Sequence, residues 1–199
     1  MNKILLILIL TLSFQSWTKA DDIRDFEIEG MSIGDSLLDF VSENKIKNLM
    51  KTDYPNSKKY SRVTIIFPNM TVYEDTMIHF KTDDKKYTIY SVDGGIFYKN
   101  DFETCNKKKD EIIESVSVQF SNLEKISSFG KHAYDDESLY DQVRFLFKDG
   151  SQLKIWCRDW TDKVTKENNW HDNLAVALHS AEFRKWLNEC CCESNNILI

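Results

Sequence analysis

Residues 142–158 read Gln-Val-Arg-Phe-Leu-Phe-Lys-Asp-Gly-Ser-Gln-Leu-Lys-Ile-Trp-Cys-Arg. Two runs, Gln142 to Lys148 and Gln152 to Arg158, flank the turn pair Asp149-Gly150, the signature of an antiparallel hairpin. In the second run Leu153, Ile155 and Cys157 point one way, and Lys154, Trp156 and Arg158 the other. One face is therefore a core face. The other must meet solvent, a partner or a further element of the same chain.

Working outward, Asp101 caps the clearest helix in the chain. Phe102, Cys105, Ile112, Ile113, Val116 and Phe120 fall within an arc of about 100°, the width of a core-facing stripe, and only Lys109 intrudes. Glu124 to Phe129 reads as a strand between this helix and the hairpin. Beyond the hairpin, Thr161 to Asn173 is a charged polar loop and Leu174 to Leu178 a buried edge strand. Ser180 then caps a final helix docked by Phe183, Trp186 and Leu187.

The first half has the same grammar. Ile23 to Glu29 alternates apolar and charged residues, which predicts a half-buried strand, and Gly30 to Gly34 a turn. Leu37, Leu38, Phe40 and Val41 share one helix side, whereas Ile46, Leu49 and Met50 point roughly 150° away. That mismatch predicts two short helices broken near Ser42 to Lys45, the second capped by Ser42. Pro55 to Lys59 is a loop. Val63 to Phe67, Thr76 to Thr82 and Tyr87 to Val92 are strands, with Asp83 to Lys86 turning the last pair. Asp93-Gly94-Gly95 is a turn or a bulge before Ile96 to Tyr98.

The order is thus helix and three strands, twice. A shift of 67 residues superposes Ile78, Phe80 and Lys81 on Phe145, Phe147 and Lys148, and Leu38 on Cys105. The fold class is α+β, an antiparallel sheet with helices packed on one face. Residues 21–189 form a single domain, whose halves, 21–99 and 100–189, fit a tandem repeat, and residues 190–199 form a C-terminal tail.

Residues 1–20 carry the address. Lys3 precedes Ile4 to Leu12, apolar except for Thr11; Thr18 and Ala20 are the small residues a signal peptidase reads, and no acid precedes Asp21. The apolar run is far short of the roughly 20 residues that span a bilayer. Cleavage would leave a periplasmic or secreted soluble chain with no transmembrane segment. The 26 basic and 32 acidic residues become 24 and 32 when Lys3 and Lys19 leave, a net charge of −8. Nucleic acid and anionic membranes, which need basic clusters, are poor partners for such a chain.

Export permits disulfides. Cys105 sits mid-stripe on its helix and Cys157 continues the inward set of its strand, so the two are aimed independently at one core. A helix-to-sheet bridge is expected, the alternative being two separate buried thiols. Cys190, Cys191 and Cys192 are adjacent, so their side chains diverge and cannot enclose one ion. They predict exposed thiols on the tail, the alternative being an intermolecular bridge. No H-E-x-x-H, C-x-x-C or calcium-loop spacing occurs, so neither a metal nor any other cofactor is implied.

Gly34-Asp35-Ser36-Leu37 resembles the nucleophile block of the GDSL esterases. That resemblance implies Ser36 as nucleophile, with His171 as the best available base. The G-x-N-D block is missing, and so is the late D-x-x-H: Thr76, Phe129, Asn168 and Val176 stand three before the four histidines. A capping Asp-Ser after a glycine turn explains the same letters. The stronger candidate is the outer sheet face, where Met77, His79, Tyr90, Trp156 and Arg158 mix aromatics with charge, as a ligand or an envelope protein partner requires. Cover by the final helix, through Trp186, is the alternative use of that face.

Phe26-Glu27-Ile28-Glu29-Gly30-Met31-Ser32-Ile33-Gly34-Asp35-Ser36-Leu37-Leu38-Asp39 resembles the opening of small exported proteins of Pelagibacter-like marine alphaproteobacteria. The likeness extends to Gly95 to Lys99, Cys105, the C-x-D-W of Cys157 to Trp160, and Glu182-Phe183 to Trp186-Leu187. It implies export and supports the Cys105–Cys157 bridge, and it implies no activity. The helix and three-strand order is also similar to periplasmic modules of outer-membrane assembly and of β-lactamase inhibition, a likeness of architecture alone. The expected molecule is a monomeric or weakly dimeric, non-catalytic binding module of the periplasm or envelope. N-terminal sequencing of the exported protein is expected to begin at Asp21; a start at Met1 in the reducing fraction would remove the compartment on which the bridge depends.

Overall fold

The computed structural model describes residues 22–191 apart from 53, 55, 56 and 133. The leader 1–20 and the tail beyond residue 191, with Cys192, lie outside the described residues. The elements run α1 (Glu43–Leu49), β1 (Tyr60–Ile65), β2 (Asp75–Lys81), β3 (Ser91–Phe97), α2 (Phe102–Gln119), β4 (Glu124–Lys131), β5 (Leu139–Leu146), β6 (Gln152–Asp159), α3 (Asp162–Asn168), β7 (Asn173–His179) and α4 (Ala181–Cys191). The seven strands form one sheet in the order β1-β2-β3-β7-β6-β5-β4, and each neighbouring pair is antiparallel. The fold is α+β. Helix plus three strands does occur twice, but the second trio runs back toward the first and β7 fills the middle.

One face is the core. Val63, Ile65, Ile78, Phe80, Val92, Leu174, Val176, Leu153, Ile155 and Phe145 lie on it, and Cys105, Ile113, Val116 and Phe120 of α2 pack across β6 and β7 above them. Leu37, Val41 and Ile46 extend this layer toward β1. Asp101 caps α2 by accepting the Thr104 N–H at 3.0 Å. The intruder Lys109 is 3 % exposed, and its ammonium meets Asp141 at 2.6 Å and Asn106 Oδ1 at 3.0 Å. A buried lysine is tolerated because its charge is paired and its donors are used.

Several expectations need correction. Ile23 to Glu29 is no strand: a 3-10 turn at Ile23–Asp25 is followed by the single bridge Ile28↔Met31. Glu29 and Gly30 take φ of 51° and 78°, and this left-handed pair reverses the chain before a ladder can form. Leu38 and Phe40 are exposed, leaving Leu37 and Val41 to face the core from a 3-10 turn capped by Ser36. The helix break is present, with Ser42 at the N-cap of α1, though its side chain makes no capping bond.

Tyr87 to Ile89 does not join β2 as a strand, because Ile89 exchanges hydrogen bonds with Gly34 and Asp35 instead; pairing with β2 begins where the Tyr90 N–H donates to the His79 carbonyl. Asp93-Gly94-Gly95 is neither turn nor bulge. It runs straight through β3, paired on both sides, because each glycine makes room for a neighbour. A Cβ on Gly94 would meet the Tyr73 ring at 2.5 Å, and one on Gly95 would strike the Asp75 carboxylate. The 161–173 loop contains α3. β7 is central rather than an edge, and all seven of its residues are buried.

Cys105 and Cys157 form a disulfide with a Cα–Cα distance of 6.0 Å across 52 residues, tying α2 to β6. Cys190 is a free thiol, half-buried beneath the last turn of α4 rather than exposed on a tail, because the helix extends to Cys191. Replacing both Cys105 and Cys157 by alanine is expected to lower unfolding stability by up to about 4 kcal/mol, the chain-entropy value for such a loop. Urea denaturation checks this, and an unchanged midpoint would mean that the bridge constrains nothing.

Candidate ligand-binding cleft

The strand registers place four cross-sheet rows on the face opposite α2. Asp75, Gly95, Ala175, Trp156 and Gln142 form one, and Met77, Asp93, Ala177, Lys154 and Arg144 the next. His79, Ser91, His179 and Gln152 lie at one end, Phe97, Asn173, Arg158 and Tyr140 at the other. The structure thus brings Met77, His79, Trp156 and Arg158 to a single face. Tyr90 precedes β3 and packs edge-on to Tyr60 at 5.5 Å.

That face is divided in two. At the His79 end, α4 lies over the sheet. Ser180 caps it through the Phe183 N–H at 3.2 Å, and Phe183 packs on Tyr60, His79 and His179 at 5.1, 4.8 and 5.4 Å between ring centres. Trp186 closes the cluster against Tyr54 and Tyr60. His79 is consequently 2 % exposed and belongs to a small second core. The Arg158 end borders an open cleft, with Trp156 buried beside it.

At the open end the chain builds an aromatic wall. Thr161 caps α3, and Asn169 ends it in the left-handed region at φ 57°. Asp172 then fastens the return by accepting the N–H groups of Trp160 at 2.7 Å and Asn100 at 2.9 Å. Trp160 and Trp170 meet at 4.9 Å, and Tyr134 meets Trp170 edge-on at 4.8 Å. Between this wall and β1–β2 lies a cleft of about 610 Å³, floored by Gly95 and Ala175 and bordered by Asp75, Met77, Asp93 and Arg158.

Trp156 lies over Ala175 and Ala177, which have no bulk to lift it. Lys154 Nζ sits 4.2 Å from its ring centre and the Arg158 guanidinium 5.3 Å away, while Arg158 is also 5.7 Å from Trp160. Arg158 Nε donates to Asn173 Oδ1 at 3.0 Å, and among the described residues no carboxylate comes within ion-pairing distance of it. Burial brings Arg158 down to about 10, against the attraction of Asp93 and Asp75. Burial likewise pushes Asp93 up to about 6, despite the hydroxyl of Ser91 and the charges of Arg158 and Lys154, and it raises Asp75. His179, bonded through Nδ1 to Gln152 at 2.9 Å, is held well below its usual value by burial and by Lys154.

Ser36 and His171 are not brought together. The Ser36 hydroxyl donates to the Lys86 carbonyl at 2.7 Å and accepts the Leu38 N–H at 3.3 Å, next to Thr88 and before β3 begins. The His171 ring packs on Phe97, at the far end of β3, and a strand of that length spans roughly 20 Å. Among the described residues no three His, Cys, Asp or Glu side chains are grouped to hold a metal, and no helix is long and apolar enough to cross a membrane. Sequence reasoning missed Asp75, Asp93, Tyr134, Trp160 and Trp170. The alternation of Ala175 and Ala177 with bulky neighbours was the available sign of a low floor on which an aromatic ring could lie. No family model, curated protein or solved structure matches the chain.

The Asp93 shift has a definite sign. Its folded pKa lies above the unfolded one, so the stability drawn from protonated Asp93 is full below about pH 4 and is lost as pH rises through about 6. Asp93→Asn is therefore expected to be more stable than wild type by about 2 kcal/mol at pH 8 and equal to it near pH 4. Urea midpoints across this range check it; a difference that does not change with pH would place Asp93 in a water-like setting.

Proposed function

We propose that this chain is an exported, non-catalytic binding module whose ligand occupies the cleft on the open sheet face. The observation that carries this reading is Arg158. Its guanidinium is held between Trp156 and Trp160 and fixed through Nε by Asn173, its one hydrogen bond among the described residues. Desolvating a charge without pairing it costs stability, so a half-buried, unpaired arginine in a concavity fits recognition better than folding.

The rest of the cleft supports the same reading. A volume near 610 Å³ falls within the span of small-molecule sites, roughly 300–1,000 Å³. The indole wall offers flat apolar surface at low entropic cost, and Asp75, Asn173 and Arg158 offer polar contacts around it. A small polar molecule with one flat face, such as a sugar ring or an amino acid, suits this combination. Export rests on the leader, with which the Cys105–Cys157 bridge agrees. The paired surroundings of Ser36 give a hydrolase no support.

Indole N–H resonances of labelled protein provide the test, with a mixture of monosaccharides and amino acids at millimolar concentration as probe. Signals of Trp160 and Trp170 are expected to move with saturation, and Trp170→Ala to weaken the response about three- to tenfold. Shifts confined to other parts of the molecule, or a Trp170→Ala variant that responds like wild type, would overturn the assignment of the cleft.

A further inference from the structure

Beyond the wall formed by Trp156 and Arg158 lies a second, smaller concavity of about 110 Å³. Tyr140 and Arg144 reach it from β5, Lys154 and Arg158 from β6, and His132 and His179 also line it. Among the described residues no aspartate or glutamate does. This absence is notable in a chain with 32 acidic residues and a net charge of −6. The acids of these strands point elsewhere. Asp141 alternates onto the α2 face and pairs with Lys109, and Asp159 lies on that face too. The nearest acid in the same row is Asp93, two strands away across Ala177.

Two features show that folding alone does not satisfy Arg144. Arg144 and Lys154 stand directly opposite each other on β5 and β6, and like charges in that position are destabilising. Arg144 Nε is buried without a hydrogen-bond partner, and Arg144 makes no ion pair among the described residues. An orphaned, buried guanidinium nitrogen is costly, and an oxyanion would satisfy it while screening the Arg144–Lys154 repulsion. The positive field is also felt by His179, which burial and the charges of Lys154 and Arg184 keep neutral.

We propose that Arg144, Lys154 and Arg158 form a subsite for a tetrahedral oxyanion, a phosphate or sulfate group either free or carried on a headgroup or ester. The volume accommodates one such group and little else. The planar guanidinium groups offer forked donors and Lys154 a point charge, with the Tyr140 hydroxyl at the rim. Arg158 borders both concavities, whereas Arg144 and Lys154 line the smaller one alone, so Arg144→Gln tests this subsite separately from the ligand proposed for the larger cleft.

The test is thermal unfolding of the full mature chain in millimolar sodium phosphate against sodium chloride of equal ionic strength. Phosphate is expected to raise the wild-type midpoint in a saturable manner, as ligands of the native state do. Arg144→Gln is expected to weaken the apparent affinity about tenfold, the effect of one lost charge-assisted hydrogen bond, while Lys148→Gln leaves it unchanged. Without phosphate, Arg144→Gln is expected to be at least as stable as wild type, since it relieves a like-charge pair. Equal stabilisation by chloride, or an unchanged phosphate response in Arg144→Gln, would overturn the proposal. Flotation with phosphatidic acid vesicles but not phosphatidylcholine, lost in Arg144→Gln, would identify a lipid headgroup; phosphate binding without flotation would identify a soluble source. Should Arg144→Gln fail to fold, guanidinium Nε resonances of wild-type Arg144 and Arg158 supply the reading, and their indifference to phosphate would overturn it.

Discussion

The structure depends on β7 being hydrogen-bonded along both edges. Without it, β1–β3 and β4–β6 are separate three-strand meanders, each with an unprotected edge. With it they become one sheet. The strand is suited to this position: Leu174, Val176 and Leu178 fill the core face, and Ala175 and Ala177 leave the other face almost bare. Phe97 pairs with Asn173 and Ser91 with His179, so the closing strand arrives last in the chain and its contacts with β3 are distant in sequence. Loop closure of that kind is costly in entropy. The Cys105–Cys157 bridge offsets part of it by fastening α2 to β6, beside the slot that β7 enters.

Much of this was legible in the letters, and the failures share a cause. The hairpin at 142–158, the α2 stripe, the cap at Ser180 and the cysteine pair are local patterns, or two local patterns aimed at one core, and periodicity reports them well. Ile23 to Glu29 alternates like a strand, but nothing in the sequence says whether a partner strand is adjacent, and a left-handed Glu29-Gly30 removed the possibility. Gly94 and Gly95 read as punctuation because glycine usually marks turns. Here they answer to Tyr73 and Asp75, residues that become neighbours only when β2 and β3 pair. Leu174 to Leu178 looked like an edge because it comes late; order in the chain carries little information about order in the sheet.

The site was partly visible for the same reason. Alternation placed Met77, His79, Trp156 and Arg158 on one face, as the register does. What alternation could not show was where α4 would lie. Once Phe183 and Trp186 settle on Tyr60 and His79, half of that face becomes core, and the cleft opens at the Arg158 end. The alternatives of an open surface and a covered one are each correct for one end. Tyr134, Trp160 and Trp170 were hidden by a different difficulty: Tyr134 lies in the β4–β5 connection, Trp160 just after β6 and Trp170 after α3, and their grouping comes from Asp172 and the α3 cap rather than from any periodicity.

The open face also sorts its charges. Asp75 and Asp93 lie on β2 and β3, whereas Lys154 and Arg158 lie on β6 and Arg144 on β5, with the alanines of β7 between. Strands are about 4.8 Å apart, so two steps hold the carboxylates and the cations roughly 10 Å from each other in the backbone. Side chains as long as arginine could close much of that gap, but Trp156 and Trp160 hold the Arg158 guanidinium in place and Ser91 engages the Asp93 carboxylate at 2.8 Å. Asp75, Asp93 and Arg158 therefore remain partly desolvated, and burial raises the two acids and lowers the arginine together. Between the two groups Ala175 and Ala177 lie beneath Trp156, whose ring is flanked by Lys154 and Arg158, so the charges of this face are sorted by strand rather than scattered over it.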